Sequence, residues 1–165
     1  MKEAATAVPA EDRPKGIGGW LILPAIGLVA SPVLILIAAV QDLLPAFEES
    51  AWEALTTPGS VDYHPANEAM LYFALVVGIG QIAFALVLNY LFWNKSRRVP
   101  KLFVLWLIVN VVVVAIDTLW ELQFLEVAER MDVSIYKNVG REIFHAAVWI
   151  PYFLVSKRVR NTFVE

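Results

Sequence analysis

Four long apolar stretches, roughly Gly18–Val40, Ala69–Trp93, Leu102–Trp120 and Ile143–Val155, alternate with polar segments. A helix rises 1.5 Å per residue, so crossing a hydrocarbon layer of about 30 Å takes some 20 residues. Four such runs occupy about half of a 165-residue chain, leaving a short tail, one tight turn and two connecting segments. Apolar residues make up 59% of the composition and mean hydropathy is +0.62. Soluble domains sit nearer 45–50% apolar. The pattern predicts an all-α membrane protein, a four-helix transmembrane bundle with a short amphipathic outer helix. The expected organisation is one membrane domain over residues 1–165, with a cytoplasmic tail over 1–16 and spans at about 18–40, 69–93, 101–120 and 141–157.

Charge orients these spans. Lys2, Arg13, Lys15, Lys95, Arg97, Arg98, Lys101, Lys157, Arg158 and Arg160 fall in segments that would share one side, against Arg130, Lys137 and Arg141 on the other. Cytoplasmic loops carry the excess of Lys and Arg, so both termini are expected in the cytoplasm. The segment Gln41–Glu68 holds Asp42, Glu48, Glu49, Glu53, Asp62 and Glu68 and no Lys or Arg, which excludes a nucleic-acid surface or an anionic-lipid dock there. With no cysteine, the chain forms no disulfide, thiolate metal site or dithiol redox cycle.

Along the chain, residues 1–15 mix charge, Ala and Pro and read as a tail; the apolar run after them is too long for a cleavable signal peptide. Gly16-Ile17-Gly18-Gly19 breaks the backbone before Trp20, an interfacial anchor. In the first span Pro24 and Pro32 each remove an intrahelical bond, which membrane helices tolerate where neighbours satisfy the freed carbonyls. Trp20, Pro24, Gly27 and Ser31 share a face, and Gly27 with Ser31 forms a small-xxx-small pair suited to close packing. Leu44, Phe47, Ala51 and Leu55 form the apolar side of a short interfacial helix ending at Thr57-Pro58-Gly59. Ala74, Gly78, Gln81, Ala85 and Asn89 make a small and polar stripe on span two that belongs inside a bundle. Asn94–Pro100 is a tight basic turn, with Val99 extended before Pro100 at a helix start. Helical character continues through Glu121–Met131, and Asn138 with Gly140 suggests the turn before span four. Span four is short, but a non-spanning segment would strand Lys157, Arg158 and Arg160 on the wrong side, and basic side chains can snorkel.

Candidate chemistry gathers near the outer ends of spans three and four. Asp117 lies about 24 Å beyond Lys101, and the first turns of span four hold Arg141, Glu142 and His145. With Glu121 these make a candidate polar cluster: either a titratable outward-facing pocket, or a structural bond from Asp117 to His145 or Arg141 that locks two helices. Gln81 and Asn110 match in depth as a candidate interhelical pair, or as lining of a transport path. His64 and His145 are the only histidines. Their placement suits neither haem nor zinc, so no metal or other cofactor is expected. No catalytic nucleophile motif or phosphate-binding loop stands out; Gly78-Ile79-Gly80 sits inside an apolar helix and reads as packing.

The blocks GGWLILPAIGLVASP at Gly18–Pro32 and WIPYFLVSKRVRNTF at Trp149–Phe163 resemble bacterial domain-of-unknown-function family 2569, small four-span inner-membrane proteins. Trp52-Glu53-Ala54-Leu55 and Tyr63-His64-Pro65 fit the same pattern, and Pro24, Ser31, Pro32, Pro151 and Ser156 match its helix-breaking positions. The resemblance implies localisation and topology and brings no activity. The expected function is a non-enzymatic binding or scaffold protein, engaging a partner protein, lipid or small ligand on its outer face. The alternative is a small oligomeric transporter or proton-coupled subunit using Gln81, Asn110, Asp117 and His145. Expected partners are the lipid bilayer and a protein partner or second copies of the chain, with no nucleic acid.

Overall fold

The computed structural model describes residues 15–123, 133 and 136–164, and among these there is no strand. A single 3-10 turn, Gly19–Leu21, leads into α1 (Ile22–Ala38), which continues through a π-helical segment, Ala39–Leu43, and a 3-10 turn, Leu44–Phe47. Then come α2 (Glu49–Thr56), α3 (Asn67–Trp93), α4 (Val99–Glu121), α5 (Lys137–Val155) and the short α6 (Lys157–Thr162). Three helical runs among the described residues are long and apolar enough to cross a membrane: Gly19–Phe47, Asn67–Trp93 and Val99–Glu121. At 27 residues α3 is about 40 Å long, more than a hydrocarbon layer requires. The 19-residue α5 carries Lys137, Arg141 and Glu142 in its first turns and is less apolar than those three.

The described residues form two compact units, one of Leu23–Tyr90 and one of the residues up to Ile22 together with those from Leu91 onward. In the first, Pro32 lies inside α1 and has no N–H to give the carbonyl of Leu28 one turn back. That carbonyl instead accepts from Ser31 Oγ at 2.9 Å and from Asn89 Nδ2 of α3 at 2.7 Å. Asn89 gives its amide also to the Ala85 carbonyl, at 2.9 Å. A proline defect thus becomes the polar tie between α1 and α3, beside the buried Ala25, Leu28, Ala85 and Leu88. Leu28 and Ala25 lie on the buried side of α1, whereas Trp20 and Gly27 are exposed. Of the four residues expected to share a face, Trp20, Pro24, Gly27 and Ser31, only Pro24 is buried. Among the described residues nothing lies within 4 Å of where Cβ atoms on Gly27 or Gly78 would be, so neither serves a close helix approach among them.

The polar segment after α1 is anchored at both ends. Glu48 is extended (φ −68°, ψ 144°), which separates α2 from the turn carrying Leu44 and Phe47. The expected amphipathic helix is thus shorter than the residue pattern suggested, and it stops as expected at Thr57, ahead of Gly59 at φ +100°. Phe47 stacks on Trp52 (centroids 5.5 Å) and Trp52 meets Tyr72 of α3 edge-on at 5.8 Å. The buried Asn67 gives its amide to the carbonyls of Leu55 and Asp62, each at 3.0 Å.

In the second unit α4 and α5 pack antiparallel. Phe103 near the start of α4 stacks on Phe153 near the end of α5, with centroids 4.1 Å apart and rings 10° from parallel. Val99, expected to be extended, is the first residue of α4; Pro100 sits in the first turn, where its missing N–H has no helical partner to lose. Asn138 and Gly140, expected in a turn, lie in the first turn of α5, where the Gly140 N–H makes the opening helical bond to the Tyr136 carbonyl at 2.8 Å and helix-poor residues cost little. The α4 helix ends at Glu121 and turns at Leu122 and Gln123; the rest of the expected extension to Met131 falls outside the described residues.

The end of this unit made by the α3–α4 turn and α6 holds most of its fully buried side chains. Leu21, Phe92, Val99 and Val159 have no exposed surface, and Phe163 packs on Phe92 at 5.2 Å. Ser156 leaves the helical region (φ −64°, ψ 124°) and caps α6, accepting the Val159 N–H at 3.4 Å. The Thr162 hydroxyl donates to the Gly16 carbonyl at 3.2 Å, and the Arg158 guanidinium lies against Gly18 and Gly19.

Candidate functional site

The packing register of α4 and α5 decides which members of the expected polar cluster meet. Phe103 opposite Phe153 puts Val111 level with His145, and the two helices share a shallow apolar groove there of about 350 Å³, lined by Val111, Ile143, Ala146, Ala147, Ile150 and Pro151. Asp117 then lies six residues further along α4, about 9 Å from the level of His145. Arg141 and His145 instead turn to Glu142 on their own helix. Arg141 Nε approaches Glu142 Oε1 at 3.3 Å, and His145 Nδ1 lies 3.9 Å from Glu142 Oε2. Glu142 is the shielded member, with 19% of its side chain exposed against 62% for Arg141 and 51% for His145. Among the described residues no ion pair joins Asp117 or Glu121 to α5.

The structure therefore gathers Arg141, Glu142 and His145 on the first turns of α5 and leaves Asp117 and Glu121 exposed on the last turns of α4. It gives a mixed-charge surface of exposed groups. Among the described residues no three His, Asp or Glu side chains gather closely enough to hold a metal ion. Gln81 is half-buried on α3. Asn110 donates to the Trp106 carbonyl of its own helix at 2.7 Å. The residues whose roles sequence reasoning missed are Asn89, Asn67, Arg158 and Thr162. For Asn89 a signal existed: Pro32 leaves the Leu28 carbonyl without a donor, and Asn89 ends a polar stripe four residues from the end of its helix.

Helices of membrane-spanning length, largely apolar along their middles and charged toward their ends, define an integral membrane protein. The chain belongs to the family described as "Protein of unknown function (DUF2569)", which matches residues 14–164. It is similar to "Inner membrane protein YdgK" of Escherichia coli (strain K12), with 26% identity over 157 residues that cover 92% of this chain and 96% of the relative. No solved structure matches it. The likeness seen in the Gly18–Pro32 and Trp149–Phe163 blocks thus extends over nearly the whole chain.

Proposed function

We propose that this is a four-span inner-membrane protein with both termini in the cytoplasm, a non-enzymatic binding protein that engages a partner protein through the outer ends of α4 and α5. The observation that carries the reading is that Asp117, Glu121, Arg141 and His145 stay exposed although α4 and α5 pack together. Charged groups near the end of a membrane helix are costly against lipid, and a protein partner of matching charge relieves that cost. The inner-membrane relative supports the location. The spanning assignment of α5 rests on charge: Lys157, Arg158 and Arg160 follow it, and one more crossing returns them to the side of Lys95, Arg97 and Arg98. The apolar part, Ile143–Val155, reaches about 20 Å, and Arg141 can snorkel to lengthen it.

A photo-crosslinking residue placed at Glu121 in intact cells tests the reading against one placed at Val29, an exposed apolar position on α1. Discrete protein adducts are expected at 121 and not at 29, and they should vanish when Asp117→Lys reverses the local charge in a protein that still inserts. The same adducts from both positions, or adducts indifferent to Asp117→Lys, would contradict it.

A further inference from the structure

The packed end of the second unit is unbalanced in charge. The described residues 15–22, 91–101 and 156–164 contain Lys15, Lys95, Arg97, Arg98, Lys101, Lys157, Arg158 and Arg160, and no Asp or Glu. Packing brings these segments into one surface: Phe92 meets Phe163, Thr162 bonds to Gly16, and Arg97 Nε donates to the carbonyl of Val164. Two of the cations serve that packing, Arg97 through Val164 and the half-buried Arg158 through Gly18 and Gly19. Lys15, Lys95, Arg98, Lys101, Lys157 and Arg160 are left exposed with no carboxylate within ion-pair distance among the described residues.

Two further features bear on what covers them. Trp20 and Trp93 are 70% and 54% exposed, the first beside Gly19 and the second two residues before Lys95. Exposed indoles at the ends of apolar helices sit at the level of lipid head groups, which sets the cations at that level too. The α3–α4 turn also closes as a Schellman motif, with Lys95 N–H on the Phe92 carbonyl (3.1 Å) and Ser96 N–H on the Leu91 carbonyl (3.0 Å). Lys95 holds the left-handed position (φ +51°) that glycine usually fills, so a cation stands where the backbone disfavours any side chain.

We propose that this end of the protein binds anionic phospholipid head groups, their phosphates seated on Arg98, Lys101, Lys157 and Arg160 with Lys95 at the rim. Charge complementarity selects anionic over zwitterionic lipid, and the flanking indoles select a membrane surface over a soluble polyanion. The surface is separate from the α4–α5 ends that carry the proposed function.

The test uses the full-length protein in nanodiscs of equal phosphatidylglycerol and phosphatidylcholine, with the retained lipids counted by native mass spectrometry. Phosphatidylglycerol should be enriched, and raising salt from about 0.15 M to 1 M, which shortens the screening length from about 8 Å to 3 Å, should erase most of the enrichment. Substituting Arg98→Gln, Lys101→Gln, Lys157→Gln and Arg160→Gln together should lower it at least about tenfold, since each surface cation is worth roughly fivefold. Lys137→Gln should leave it unchanged. If the fourfold variant does not fold, Arg98→Gln and Arg160→Gln alone should each lower it two- to fivefold. Equal retention of the two lipids by the unaltered protein, salt-indifferent enrichment, enrichment that survives the substitutions, or tighter retention of an oligonucleotide than of lipid would overturn the proposal.

Discussion

The Leu28 carbonyl is where sequence and packing meet most directly. Pro32 strips it of its helical donor, and Asn89 and Ser31 replace that donor from two directions. Replacing Asn89 by Leu should cost about 0.6–1.7 kcal/mol, the range for hydrogen bonds between membrane helices. In a Pro32→Ala background the same change should cost less, because the restored Ala N–H bonds to that carbonyl. Thermal unfolding in detergent of the two single variants and the double variant measures this coupling, and additive effects would contradict it. Left-handed backbone gives a second prediction. Gly19 at φ +56° should lose about 1 kcal/mol on becoming Ala, whereas Lys95→Gly at φ +51° should gain up to about 1 kcal/mol in the same melting assay. That Pro32 would need an outside donor was legible in the residues. That Asn89 is the donor was not, because a stripe of small and polar residues names a face and not an acceptor.

At the scale of elements, the α4–α5 contact holds the candidate surface in place, and Phe153, 1% exposed against Phe103, anchors one end of it. Phe153→Ala should destabilise the protein by about 3–5 kcal/mol through lost burial and a cavity, and Phe153→Leu by clearly less. Detergent melting temperatures check the order; equal losses would mean that ring stacking and volume do not matter there. The apolar runs located α3 and α4 to within three residues, because lipid demands uninterrupted apolar helix and leaves little freedom. Helix ends were less legible. Val99, Asn138 and Gly140 each looked like a break by local preference, yet all three fall in first turns, where that preference is weakly enforced. The packed face of α1 lies a step around the helix from the Gly27–Ser31 pair expected to pack closely: Pro24, Ala25 and Leu28 are buried and Gly27 is exposed.

For the whole molecule, charge carries more information than any single contact. The polar residues on α4 and α5 were legible as residues and not as partners, since pairing depends on a helix register that residue spacing does not encode. Phe103 on Phe153 sets that register and leaves Asp117 about 9 Å from the level of His145, so Glu142 becomes the local partner of Arg141 and His145. The central claim is that the chain crosses the membrane four times, with α5 as the fourth crossing and the basic ends of the molecule in the cytoplasm. Paired reporters, one active only in the cytoplasm and one only outside it, fused at Ser60 and after the last residue, test that claim most directly. The account predicts an outside signal at Ser60 and a cytoplasmic signal at the C-terminus. Signals from the same side at both positions would contradict it and leave α5 as a helix that does not cross.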